Sequence, residues 1–213
     1  MTSTTAVQLN GQDEASVAQR MLRRDLIAAG RELGAREARY LVDYFYIQQE
    51  DRKRAHNQIR AMTEPKDGIE PQEPSALLQY LASNAANLER QIASALHGYS
   101  QSKVVGQWAE RQVGVGPIIS AGLLAHIDMD KALTAGHIWR FAGLTPDVVW
   151  EKGQKRPWNA TLKVICWKLG QSIVYTCNNE RSVLGPLYQQ RKQYETDRND
   201  RGECADAAAQ VLA

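Results

Sequence analysis

Two short stretches of the chain hold residue types whose spacing could do chemistry. The first is Gly114-Val115-Gly116-Pro117, followed by Ile118 and an apolar run to Ile127. The preceding segment, residues 102–112, reads as a helix with Val104, Val105, Trp108 and Gln112 on one face. Gly114 suits the left-handed turn that ends such a helix. Pro117 suits the first position of the next one, where no amide hydrogen is needed. The unpaired N–H groups and the positive dipole end of that second helix would then be offered to an anion such as phosphate. The local pattern equally describes a plain corner between packed helices, and both readings stay open at this level. The second stretch interleaves Trp139, Trp150, Trp158 and Trp167 with Arg140, Lys152, Lys155, Arg156, Lys163 and Lys168. Alternating aromatic and basic side chains can stack bases and hold phosphates. Trp167 falls on a helical pattern and is expected in the core, whereas Trp150 and Trp158 flank the basic loop and are the better contact residues.

Other constellations are weaker. His126, Asp128 and Asp130 sit close together, but alternate residues converge only on an extended segment, and a helix end is expected here. Asp128 or Asp130 capping the next turn is the favoured account, so no metal is expected. Cys166, Cys177 and Cys204 are odd in number and show no Cys-x-x-Cys spacing, which predicts a reduced, cytoplasmic protein without a zinc site. No Walker-type loop, glycine fingerprint for nucleotides, His-Glu-x-x-His or nucleophile elbow occurs, and no cofactor is expected.

The elements that must position these residues read as helices throughout. With 43% hydrophobic residues the chain can bury a core, and it has no apolar run long enough to span a membrane. The first residues lack the basic start and apolar block of a secretory signal. A helical pattern begins at Glu14 with Val17, Met21, Leu22 and Leu26 inward, interrupted at Gly30 and Gly34. A second helix is predicted from 35 to 61, with Ala38, Leu41, Val42, Phe45 and Ile59 on its apolar side. These form an N-terminal helical region over 1–62, and the proline-rich stretch 63–75 reads as a linker. Residues 76–101 place Leu78, Leu81, Ala85, Leu88, Ile92 and Ala95 at alternating three- and four-residue spacing, a heptad seam that could pack on the second helix or on another copy of the chain. After the hairpin, a short helix over 135–142 ends at Gly143. Val148–Trp150 reads as a weak strand. Asn159 caps a long helix with Leu162, Ile165, Cys166, Leu169 and Ile173 inward. One further helix and a helical tail over 199–213 follow. The tail lacks a capping signal, which leaves open at this level whether the chain is a fragment of something longer. The net charge of +2 hides an asymmetry: residues 1–100 hold 12 Lys and Arg against 13 Asp and Glu, while residues 140–198 hold 10 against 5. A basic excess beside the hairpin attracts nucleic-acid phosphates.

The order VGVGPIISAGLLAHI, WRFAGLTP, EKGQK, WNATLKVICWKLGQSI and LYQQRK resembles the C-terminal transposase domain of the IS-110/IS-116/IS-902 insertion-sequence family, over about residues 76–195. That resemblance implies a coiled coil at 76–101, a helix-hairpin-helix DNA-binding domain at 102–198 and phosphate contact at Gly114–Pro117. The family also joins an acidic RNase-H-like domain in front, but residues 1–74 show helices and a linker with no strand pattern, so no metal ligands carry over. The family's serine nucleophile follows its Leu-Thr-Pro element. Here that loop reads DVVWEKGQKRPW, with Trp150 and Glu151 where serines would stand, and no serine occurs between Ser120 and Ser172. Thr145 and Thr161 are the nearest hydroxyls.

The resulting expectation is an all-α fold, with a helical hairpin or coiled-coil stalk leading into a compact helix-hairpin-helix domain. Its leading function is DNA binding in transposition or recombination without a catalytic centre of its own. The partners would be DNA, with structured RNA as a second candidate, and another copy of the chain through helix 76–101. The expected contact residues are Gly114, Val115, Gly116, Pro117, Ile118, Arg140, Trp150, Lys152, Lys155, Arg156, Trp158 and Lys163. Two alternatives stand beside it: an active transposase that uses a partner chain or an unidentified hydroxyl, and a helical protein–protein module with a purely structural hairpin.

Overall fold

The computed structural model describes residues 22–64 and 72–212; they form helices and connecting turns, with no strand among them. The all-α expectation holds. Val17, Met21 and most of the 63–75 linker lie outside the described residues. The helices are α1 over 22–31, α2 Ala35–Thr63, α3 Ala76–Gln101, α4 Val104–Glu110, α5 Pro117–His126, α6 Ala135–Ala142, α7 Ala160–Tyr175, α8 Leu184–Asp200 and α9 Ala205–Leu212. None is long and apolar enough to cross a membrane. The segment Val148–Trp150, expected as a strand, is irregular loop. It has no neighbouring strand among the described residues to pair with, and β-propensity alone does not hold an extended segment.

Helix boundaries follow local chemistry. The Glu37 carboxylate accepts from the Gly34 amide at 2.7 Å and opens α2, and Ser75 Oγ accepts from the Leu78 amide at 3.2 Å and opens α3. α6 closes on Gly143 in the left-handed conformation (φ 67°), as expected. α2 and α3 run antiparallel. Ala38 and Val42 near the start of α2 share a core with Ile92, Leu96 and Tyr99 near the end of α3. Farther along, Arg52 bridges both oxygens of Glu89, at 2.5 and 3.2 Å.

The buried stripe of α3 is Ala82, Ala85, Glu89, Ile92, Leu96 and Tyr99. It keeps the predicted three-and-four spacing but is rotated from the predicted seam, sharing only Ala85 and Ile92 with it. Leu81 is exposed. Small residues at 82 and 85 let α2 come close, and a charged residue at 89 finds its partner there. An apolar count favours neither choice. α1 crosses α3 at two glycines: an added Cβ on Gly30 would overlap the Ala95 carbonyl, and one on Gly98 would overlap the Ile27 carbonyl. Leu22, expected inward, lies on the outer side of α1.

α5 fills the centre and touches α2, α3, α4 and α7. Its small residues Ser120, Ala121, Gly122 and Ala125 are buried. Ala121 and Ala125 join the same core as Val42, Leu96 and Ile165, so one apolar cluster runs through α2, α3, α5 and α7. Ser100 and Ser120 are fully buried, and their hydroxyls share a hydrogen bond of 2.6 Å between α3 and α5. The Arg39 guanidinium donates to the Ala125 carbonyl at 2.7 Å and satisfies the end of α5. α4 is shorter than predicted and is turned around. Gly106 and Ala109 face inward, while Val104, Val105 and Trp108 face out. Trp167, expected in the core, is also exposed, whereas Leu162 and Ile165 of α7 are buried as expected. In α4 the face with the smaller side chains won the contact.

The serine pair yields a quantitative test. Ser100→Ala or Ser120→Ala alone leaves one buried hydroxyl without its partner and should each cost about 1–3 kcal/mol. The double variant should cost clearly less than the sum of the two, because no orphan remains. Urea denaturation of the four proteins measures the coupling; strict additivity would mean that the two hydroxyls do not depend on each other.

Candidate nucleic-acid interface

The basic and aromatic residues are positioned by the start of α7. Asn159 caps that helix, its Oδ1 accepting from the Leu162 amide at 3.0 Å. Its own amide donates to the Phe141 carbonyl at 2.8 Å, tying α6 to α7. Its Nδ2 meets His126 Nδ1 at 3.1 Å, tying the end of α5 to the same point. Trp158 packs against Gly143: a Cβ at this left-handed glycine would overlap the indole ring. Trp150 stands edge-on to Trp158, with ring centres 6.4 Å apart, and its Nε1 donates to the Gln154 carbonyl at 2.8 Å across a turn through Gly153. The Arg156 guanidinium lies 5.2 Å from the Trp150 ring centre, and Lys163 Nζ lies 4.8 Å from that of Trp158. Lys152, Lys155 and Arg156 are exposed on the loop. Arg140 faces Asp147 at 3.8 Å, with both side chains open to solvent. Residues 140–163 hold five cations against two carboxylates. The predicted contact residues from Arg140 to Lys163 are therefore gathered at one end of α7.

The hairpin sits elsewhere. Gly114 adopts φ 92° and Pro117 takes the first position of α5, as expected. Gly114 lies against Ser172 and Thr176 in the last turn of α7, and Gly122 packs on Ile165 midway. With His126 beside Asn159, α5 and α7 are antiparallel neighbours. The 16-residue α7 thus separates the hairpin from the basic loop by roughly 24 Å at about 1.5 Å per residue. The free amides at the start of α5 point away from that loop, and the negative end of α7 lies beside them, offsetting part of their field. Gly114, Val115, Gly116, Pro117 and Ile118 are half-buried there. The two halves of the predicted site are not brought together.

The remaining candidates resolve individually. Asp128 accepts from the Asp130 amide at 3.2 Å and pairs with Lys131 at 3.1 Å, whereas His126 turns to Asn159. Among the described residues no group of three or more His, Cys, Asp or Glu could hold a metal ion. The Thr145 hydroxyl is buried with no partner among the described residues, so it cannot reach a scissile phosphate without a rearrangement of the turn. Burial, and next the Arg39 guanidinium, hold the His126 imidazole below its ordinary range, against a smaller opposite pull from Asp43. Sequence reasoning paired His126 with the nearby aspartates and missed Asn159, which the fold alone brings to it. It also missed that Pro117 borders a recess with Arg23, Arg90 and His97. No family model, curated protein or solved structure matches the chain.

Gly143→Ala forces a Cβ into Trp158 and a side chain into a left-handed backbone; it should cost about 1–3 kcal/mol and alter tryptophan fluorescence as Trp158 shifts. An unchanged emission spectrum and midpoint would detach Trp158 from this turn. For His126 the folded value lies below the unfolded one, so the unfolded chain takes the proton first on acidification. Stability should fall as pH drops from the ordinary imidazole range toward the depressed folded value, and level off below it. Replacing His126 with Asn should flatten that part of a stability-versus-pH curve; a curve identical to the parent's would assign the slope to other groups.

Proposed function

We propose that the protein binds nucleic acid through the basic and aromatic end of α7. The observation that carries this reading is the paired indoles of Trp150 and Trp158, each with a cation beside its ring, on an exposed loop with an excess of positive charge. Such a surface offers stacking faces to bases and point charges to phosphates. Arg140, Lys152, Lys155, Arg156 and Lys163 would carry the backbone contacts. They fix affinity and register but carry no base code, so binding should depend little on sequence. The sequence resemblance to insertion-sequence transposases supports DNA as the partner and transposition or recombination as the setting. The missing serine and the buried Thr145 hydroxyl favour a binding role over strand exchange.

A second reading has one observation in its favour. Val104, Val105 and Trp108 form an exposed apolar face on α4, of the kind a protein partner would cover.

The test is fluorescence anisotropy with labelled duplex and single-stranded oligonucleotides across a salt series. Replacing Lys152, Lys155 and Arg156 with Ala should lower the salt slope of log K by about 0.9 for each duplex phosphate that these side chains neutralise in the parent. Trp150→Ala should weaken single-strand binding by about 1–3 kcal/mol. No binding by the parent protein at low salt removes this reading and leaves the protein-interaction one. Binding with an unchanged slope in the triple variant moves the interface away from the loop.

A further inference from the structure

The other end of α5 carries a feature that the loop does not use. Arg23 on α1, Arg90, Ala93, Ser94 and His97 on α3, and Pro117 at the start of α5 line an open recess of about 500 Å³. Three of these six side chains are basic, and they come from two helices held in close register by the Gly30 and Gly98 contacts. Among the described residues no carboxylate borders the recess. The acid engaged with its lining is Glu110 on α4, whose Oε2 lies 2.6 Å from His97 Nδ1 and also accepts from Gln101 Nε2 at 3.0 Å. Arg90 gives one Nη2 hydrogen bond to Asn87, and its backbone carbonyl accepts from Ser94 Oγ. Neither bond occupies the rest of its fork of donors.

We propose that this recess binds a tetrahedral oxyanion of the phosphate class, held by the Arg23 and Arg90 guanidinium groups and by His97. Guanidinium groups match phosphate oxygens with paired N–H donors. The Glu110 carboxylate fixes the proton of His97 on Nδ1. Nε2 is then an acceptor in the neutral ring, and donates to an anion only when the ring gains a second proton. Phosphodiester groups of a nucleic acid and small free phosphates share this chemistry. The site does not depend on the loop reading, because it lies at the opposite end of α5.

Sulfate is the probe, because it is a tetrahedral oxyanion with the shape and hydrogen-bond acceptors of phosphate. Titration against chloride at matched ionic strength, followed by NMR at the His97 ring and the arginine Nε–H groups, should give saturable shifts at His97, Arg23 and Arg90. The double variant Arg23→Gln, Arg90→Gln should lose the response; the His97 ring signal of the parent reads the site without any variant. Displacement of sulfate by an oligonucleotide assigns the site to a nucleic-acid backbone, and its persistence assigns it to a free phosphate. Absence of saturable shifts in the parent, or an undiminished response in the folded double variant, overturns the proposal. Loss of oligonucleotide binding with the sulfate response intact counts against the loop alone.

Discussion

The structure depends on how closely other helices can approach α5. Its sequence, PIISAGLLAH, is apolar on every side, yet the residues it buries are the small ones: Ser120, Ala121, Gly122 and Ala125. Large side chains there would hold α3 and α7 apart; small ones let both backbones close in while Leu96 and Ile165 pack against them. Interiors packed at crystal-like density transmit a change at one such contact to all its neighbours. The Ser100–Ser120 hydrogen bond adds direction to this packing. Two buried hydroxyls that satisfy each other specify how α3 and α5 slide, because any other register leaves both unpaired.

That central contact also decides where chemistry can occur. α5 and α7 lie antiparallel, so the hairpin at one end and the basic loop at the other are held apart by the full length of α7. Each end is locked by its own device: the hairpin by Gly114 against the last turn of α7, the loop by Asn159, which reaches both Phe141 and His126. A ligand bound at the loop meets indoles and cations. One bound at the hairpin meets the recess between α1 and α3. The fold thus offers two separate basic surfaces rather than one continuous site.

What could be read from the sequence was local. Gly143 and Asn159 mark helix ends because a left-handed glycine and a side-chain cap act within a few residues. The gathering of Trp150, Arg156, Trp158 and Lys163 was legible because those residues are close neighbours in the chain. What failed was direction. The α3 periodicity was correct, but its seam was rotated toward Ala82 and Glu89, because close approach and the Arg52 partner outweighed leucine count. Val104, Val105 and Trp108 form an apolar pattern that points outward, since Gly106 and Ala109 meet their neighbours instead; on α7 Leu162 and Ile165 are inward as the periodicity predicts, and Trp167 lies off that face. Side-chain size against a specific partner is a property of the assembled fold. The recess was illegible for the same reason: residues 23, 90, 97 and 117 meet only after three helices have packed.

The cations beside the loop indoles bear on how such a surface would work. An Arg or Lys over an exposed ring is worth about 0.5–1 kcal/mol, and a base stacked on the same ring about 1–3 kcal/mol. A base can therefore take the ring from Arg156 or Lys163 at a net gain. The displaced cation would then stand within reach of the phosphates that flank the base, so its charge would pass to the ligand. In the free protein the same contacts keep Trp150 and Trp158 ordered and limit their exposure to water. The cation–π pairs thus pre-organise the loop, and on the proposed reading, exchanging them for stacking and phosphate contacts would let the cluster that stabilises the free loop also supply affinity for a bound nucleic acid.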